Sequence, residues 1–309
     1  MSAIYRNQYC MDTCYIIRFS FALLECIISS MENKTLFDQP DEFDTPPVGS
    51  YTEDKYDLIR YYFDLFSKGM KYKWKGRVYI DLYSGSGKCC IKSTNKILRG
   101  SPLIALSVEV PFDKYIFCES DHTSIAALKE RVRRMQPEGE VHWVDGDCNE
   151  KVLDICNLIP KDYLVLCFVD PYECDIHYVT LKAISEAAPG VDFLCLLAFQ
   201  MDAKRAINHY LNPVNRKIND MLGDVGAGWR DRWLEEQAKG TDLARFLALE
   251  FARSMQSLGY RRTELADMKV IKRKNLPLYY LTLFAKHPTA FKFWSQVMKR
   301  APLQHSLFD

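Results

Sequence analysis

The chain has 309 residues, 48% of them hydrophobic and 26% charged, a balance that excludes disordered and collagen-like classes. Its 41 Lys and Arg offset 40 Asp and Glu, a formal net charge of +1, so any site for a polyanion must be a local patch rather than a global field. At this length roughly 75% of the unfolded surface can be buried, and no disulfide staples are needed.

Several of the 11 cysteines, such as Cys167 and Cys195, lie inside apolar runs, which points to buried, reduced thiols. The pairs Cys10/Cys14 and Cys89/Cys90 have no histidine at ligand spacing, so no metal site is expected. The most apolar early segment, Phe21 to Ile28, is broken by Glu25. It is too short to span a bilayer and makes a poor signal peptide, so the expectation is a cytoplasmic protein with no membrane partner.

Residues 1–30 read differently from the rest, and Met31 opens a polar stretch, Glu32-Asn33-Lys34, that resembles an ordinary start. Initiation at Met1 and at Met31 both stand. Residues 38–52, rich in Asp, Pro, Gly and Thr, read as an exposed connection. The expected division is therefore an N-terminal extension and linker, partly disordered, over 1–50, and one domain over 51–309.

Tyr56, Ile59, Tyr62, Phe63 and Phe66 recur at helical spacing, which predicts a helix over 56–66. Arg77 to Leu82 is a β-rich run that breaks into Ser84-Gly85-Ser86-Gly87, a strand and a glycine turn. Further strands are expected at Tyr115–Glu119, Val141–Val144, Leu164–Val169 and Phe193–Phe199, separated by helical or connecting segments. Residues 201–265 read as a charged helical insertion. Lys269–Lys272 and Leu278–Phe284 flank Asn275-Leu276-Pro277 as a closing hairpin. Strand alternating with helix implies an α/β, doubly wound, mostly parallel sheet, ended here by an antiparallel hairpin. This Rossmann-like arrangement is similar to that of the class I methyltransferases.

The strongest local signal is Asp81-Leu82-Tyr83-Ser84-Gly85-Ser86-Gly87. Glycines at alternate positions let backbone approach a ligand closely. Position 90 of a dinucleotide fingerprint is Cys90, and no Gly-Lys-Thr follows for a P-loop, which weakens NAD and ATP. An acid, three residues and Gly-x-Gly instead suit S-adenosylmethionine. Asp81 would face its ammonium, with Tyr83, Ser84, Gly85 and Gly87 forming the cradle; an ordinary ligand-free turn is the alternative. Glu119 ends the next strand and is the candidate for the ribose hydroxyls, with Asp121 competing. Its distance from Gly87 exceeds the usual spacing of about 20, so Lys88 to Pro102 reads as an insertion near the cofactor mouth. Val144-Asp145-Gly146-Asp147-Cys148-Asn149 ends the third strand. Asp147 is the candidate for the adenine amino group, with Cys148 beside it.

The fourth strand delivers Asp170-Pro171-Tyr172 to the carboxyl edge, where ligands bind in such sheets. The sequence is similar to the Asp-Pro-Pro-Tyr of amino-group methyltransferases, in which the acid and a carbonyl hold the target amine and the aromatic ring stacks on its heterocycle. Asp170, Pro171 and Tyr172 are thus the catalytic candidates, with a strand-ending cap as the alternative. Nucleic acid is a candidate partner on this ground. The scattered cations Lys204, Arg205, Arg216, Lys217, Arg230, Arg232, Arg261, Arg262, Lys272, Arg273 and Lys274 read chiefly as solvated faces.

The stretches Arg77 to Gly87, Gly100 to Leu106, Gly146 to Asn149, Val169 to Tyr172 and Lys286-His287-Pro288 together resemble the three-Cys-motif partner proteins (TcmP) over about residues 51–300. The resemblance implies a methyltransferase-like domain paired with a three-cysteine-motif protein that looks like a radical-SAM enzyme. Family members usually read Asp-Pro-Tyr-Gly, whereas Glu173 follows Tyr172 here, which sets an acidic side chain at the expected substrate mouth. Two readings follow: a methyltransferase acting on an amino group, that of a nucleic-acid base, or a noncatalytic partner protein docking through 201–265. A nuclease ranks below both, since no clustered carboxylates with metal spacing are visible.

Overall fold

The computed structural model describes residues 38–200, 202–203, 206–273 and 275–301. The readings on the start site, Cys10/Cys14 and Phe21 to Ile28 lie outside the described residues, as do Lys204, Arg205 and Lys274. The chain divides into two compact units, residues 1–42 and 43–309. Of the first, the described stretch 38–42 is irregular and mostly exposed.

The second unit is built on a seven-stranded sheet. Its strands are β2 (Gly76–Asp81), β5 (Lys114–Glu119), β6 (Glu140–Asp145), β7 (Tyr163–Val169), β8 (Asp192–Leu197), β9 (Lys269–Arg273) and β10 (Leu276–Phe284), in the order β6-β5-β2-β7-β8-β10-β9. The first five run parallel, and β10 is antiparallel to both β8 and β9. β2 and β8 are buried along their whole length, as strands covered on both faces must be. This is an α/β fold on a mostly parallel sheet, closed by a C-terminal antiparallel hairpin.

One face of the sheet is aromatic. Helix α1 (Tyr51–Met70) sets Phe63 5.0 Å from Tyr79 and 5.8 Å from Phe168, ring centre to ring centre. Helix α10 (Pro288–Lys299) adds Trp294, edge-on to Tyr62 at 6.0 Å. The opposite face is aliphatic and thiol-rich. There Val78, Ile80, Ile116, Cys118, Val165 and Cys167 pack in one cluster with residues of α4 (Val152–Asn157), α5 (Tyr178–Ala187) and α9 (Leu243–Ser257). The described cysteines are free thiols. No helix among the described residues is long and apolar enough to cross a membrane.

The structure amends the sequence expectations at four places. Helix α1 begins at Tyr51 rather than Tyr56, because its polar first turn carries Glu53 and Asp54, acids favoured at the positive end of a helix. Residues 38–52 are more than a connection: β1 (Pro47–Val48) pairs in parallel with β3 (Lys88–Ile91), which pairs with β4 (Ile97–Arg99). The expected insertion at 88–102 is this small sheet, followed by the short helix α2 (Ser101–Leu106). Leu276 and Pro277 lie within β10 rather than in the turn, and a register shift between Pro277 and Tyr279 accommodates the proline that cannot donate to the ladder. Finally, β8 ends at Leu197, not Phe199.

The segment expected to be helical holds α6 (Ile207–Leu211), α7 (Lys217–Leu222), α8 (Trp229–Ala238) and α9. Its cations are internal ties as much as solvated faces. Arg232 pairs with the buried Glu250, and Arg230 donates to the carbonyls of Tyr210, Asn212 and Asn215.

Candidate functional site

Strand register sets the frame. Asp81 is aligned with Phe117 of β5 and with Phe168 of β7. Glu119 and Asp170 are each two residues further along, and side chains repeat on one face every two residues. Glu119 ends β5, and Asp170 directly follows β7, each two residues past the level of Asp81 on the neighbouring strands. The Leu82–Gly87 loop leaves the sheet between those strands.

Asp81 does not stand at the rim. It is wholly buried, and Tyr79 donates its hydroxyl at 2.9 Å while the Tyr83 N–H reaches it at 3.3 Å. Burial pushes its carboxyl up to about 7, against hydrogen bonds from Ser101 and Tyr79, and the nearby Asp170 charge adds to the rise. Asp81 thus braces the loop from beneath, through the Tyr83 N–H. Ser84 is buried too, its hydroxyl donating to the Cys118 carbonyl at 2.7 Å, so it ties the loop to β5 rather than facing outward.

The two glycines differ. Gly85 has φ +60, and an added Cβ there would meet nothing within 4 Å, whereas at Gly87, φ +86, it would strike Leu128 at 2.7 Å. Gly85 therefore borders open space and Gly87 serves packing. Gly100 also packs on Gly87, its N–H donating to the Gly87 carbonyl at 2.7 Å. The Gly85 N–H donates to Glu119 Oε2 at 2.7 Å, and Glu119 Oε1 accepts from the Asp121 N–H at 2.9 Å. Asp121 itself caps helix α3 (His122–Met135) by accepting the Ser124 N–H at 2.7 Å. That leaves Glu119 as the acid at the loop.

At the end of β6, Asp147 is exposed and its Oδ1 accepts the Asn149 N–H at 2.7 Å. Cys148 is buried beside Tyr83. Burial raises the Cys148 thiol to about 12, so it is not a nucleophile at neutral pH.

At the end of β7, Asp170 Oδ2 lies 2.7 Å from Nζ of Lys55, a residue of α1. Pro171 is buried and Tyr172 is 91% exposed. β10 runs antiparallel, so its first half reaches the same carboxyl rim. Tyr279 there packs against Tyr51 of α1, with ring centres 5.7 Å apart and hydroxyls 3.5 Å apart. Burial, then Tyr51, then the charges of Asp170 and Tyr172 raise the Tyr279 phenol. Burial likewise raises Tyr56, with Cys89 and Asp170 adding to it.

Glu173 does not border this mouth as an uncompensated charge. It pairs with Lys217 of α7, which also holds Asp175 at 2.6 Å, and the Cys174 N–H donates to Asp202 at 2.9 Å. These bonds tie the loop after Asp170 to the helical insertion.

Sequence reasoning missed Lys55, Tyr51, Tyr279 and Ser101. Ser101 lies in the Gly100-Ser101-Pro102 stretch already noted, a signal that was available. The other three come from the first helix and the last strand, where nothing local marks them.

The open backbone at Gly85, with a carboxylate on its β5 side and the exposed Asp147 beyond β6, fits a nucleoside cofactor with ribose hydroxyls. Among the described residues no group of three His, Cys, Asp or Glu side chains is placed to hold a metal.

No protein-family model and no curated protein matches this sequence. Solved structures do. An O-methyltransferase from Bacillus cereus in complex with SAH is 9% identical, covering 86% of this chain and 91% of that one, with a TM-score of 0.42. A putative O-methyltransferase from Klebsiella pneumoniae is 8% identical over 77% and 88%, with a TM-score of 0.40. TYW2 from M. jannaschii in complex with AdoMet is 12% identical over 71% and 73%, with a TM-score of 0.34. With TM-scores under 0.5 these likenesses carry no argument, and the chemistry must rest on the residues of this chain.

Proposed function

We propose that the protein is an S-adenosylmethionine-dependent methyltransferase acting on an amino group, that of a nucleic-acid base, and that its likeness to the TcmP proteins belongs with this reading. The observation that supports it most is the placement of two carboxylates, Glu119 and Asp170, on the strands flanking a glycine loop with open space at Gly85. Glu119 would hold the ribose hydroxyls, Asp147 the adenine amino group, and the loop backbone at Gly85 the remainder of the cofactor, with Tyr83 and Cys148 packed behind it. Bound there, the cofactor supplies a methyl group already activated by its sulfonium.

The chain's own task is then alignment. Asp170 accepts one hydrogen of the acceptor amine and the Pro171 carbonyl the other, which orients the nitrogen lone pair. The exposed Tyr172 ring offers a stacking face worth about 1–3 kcal/mol to a base. Asp81 acts through the loop it braces.

Calorimetry with S-adenosylhomocysteine, on protein freed of copurified ligand, tests the reading. Saturable binding is expected, and no heat at high ligand concentration removes it.

A second reading, a noncatalytic partner of a three-cysteine-motif protein, is favoured by Val214, Val225 and Leu234, apolar side chains exposed on the helical segment. Copurification with such a protein, with biological activity unchanged in Asp170→Ala, would support it over the first.

A further inference from the structure

The Lys55–Asp170 pair joins residues 115 apart in sequence, and its two side chains are only 13% and 15% exposed. A lysine of the first helix thus reaches the acid that the proposed reaction needs for its acceptor. It engages one oxygen only: the contact is to Oδ2, and Oδ1 accepts no hydrogen bond from the described residues. The Lys55 ammonium also lies over the Tyr56 ring, 4.8 Å from its centre. Tyr279, packed against Tyr51, feels the charges of Asp170 and Tyr172.

An isolated carboxylate at this spot would favour a cationic guest, as a negative charge at a poorly screened site attracts a positive one. Aliphatic amines are such guests at neutral pH, since their pKa lies near 10.4. With an ammonium already fixed 2.7 Å from Asp170, a second ammonium gains little attraction from the acid and meets repulsion from Lys55. A neutral amine on an aromatic heterocycle is not penalised. It needs one acceptor for its N–H, which Oδ1 supplies, and flat apolar surface for its ring, which the exposed Tyr172 ring offers.

Resting on the function proposed above, we infer that Lys55 sets the acceptor selectivity: its fixed charge against Asp170 admits neutral heteroaryl amines and rejects alkylammonium ions. Lys55 is a positioning residue, acting through the carboxylate it holds. Helix α1 is then part of the acceptor site rather than only a cover for the aromatic face of the sheet.

Equilibrium dialysis on protein saturated with S-adenosylhomocysteine tests this, with adenosine and cytidine as neutral heteroaryl amines and spermidine as the alkylammonium. The wild type is expected to bind a nucleoside and to bind spermidine at least about tenfold more weakly. Lys55→Met should tighten spermidine about tenfold and abolish that preference, while Lys55→Arg should keep the wild-type order. A lysine that only stabilised the fold would not reverse a ligand preference, and a thermal melt of each variant shows that it is folded. Spermidine bound by the wild type as tightly as the nucleosides, no nucleoside binding, or a preference unchanged in Lys55→Met each overturns the inference. Calorimetric binding of S-adenosylhomocysteine is read separately. If it persists while selectivity fails, only the role of Lys55 falls; if it is absent, the proposed function falls with it.

Discussion

The Gly85 N–H donates to Glu119 Oε2 at 2.7 Å, so the acid at the end of β5 and the most open point of the glycine loop form one unit. A ligand seated on the loop meets an acceptor already oriented by backbone. Glu119→Gln keeps an acceptor oxygen but removes the charge. Hydrogen bonds to charged groups contribute about 1.5–3 kcal/mol, so S-adenosylhomocysteine affinity should fall at least about tenfold by calorimetry, and the melting temperature should fall too, because the amide nitrogen cannot accept the second of the Gly85 and Asp121 N–H groups.

The two glycines should separate binding from stability. At Gly87 a methyl group would strike Leu128 at 2.7 Å with φ +86, so Gly87→Ala is expected to cost about 1–3 kcal/mol in chemical denaturation. At Gly85 the methyl meets nothing within 4 Å but must accept φ +60. Gly85→Ala should cost about 1 kcal/mol, and its larger effect should be on cofactor affinity, because the methyl enters the open space.

Arg131, wholly buried on α3, donates to the Ser86 carbonyl at 2.6 Å, to the Asp44 carbonyl at 2.9 Å and to Thr45 Oγ1 at 2.9 Å. It fastens the segment before β1 to the glycine loop. Arg131→Met leaves the buried Ser86 carbonyl without its donor, at a cost of about 1–3 kcal/mol, and removes the ties to Asp44 and Thr45. The variant should be markedly less stable, and hydrogen exchange should quicken first over residues 43–48 and 84–91.

Stability should fall as pH rises from about 4 to about 8. Burial raises Asp192 from 3.8 to about 8 and Asp81 from 3.8 to about 7. In that interval the folded chain keeps protons that the unfolded chain releases. Each group then lowers the unfolding free energy by up to about 1.4 kcal/mol per pH unit until its folded value is passed. Asp192→Asn, neutral throughout, should match the wild type near pH 4 and exceed its stability at pH 8, by denaturant titration at both pH values.

Lys217 bridges Glu173 and Asp175. The pair is partly exposed, so Lys217→Met should cost no more than about 1 kcal/mol. Its clearer effect should be faster hydrogen exchange across residues 171–177, the loop that carries Tyr172.

Local chemistry was legible in the sequence. Strand runs, the glycine turn, the acids at strand ends and the closing hairpin are written in short-range patterns of two and 3.6 residues, and those patterns reflect burial on one or both faces of each element. Tertiary structure decided what no local pattern encodes. It lodged β10 between β8 and β9, drew Pro47 and Val48 into a second sheet, and buried Asp81 wholly under the Tyr79 hydroxyl. It also brought Lys55, Tyr51 and Tyr279 to Asp170. The physical reason is the same in each case: strand order and side-chain depth arise from packing between segments distant in sequence, 43 residues for Pro47 and Cys90 and 115 for Lys55 and Asp170, and the charge balance at Asp170 depends on a partner whose own neighbours in sequence give no sign of it.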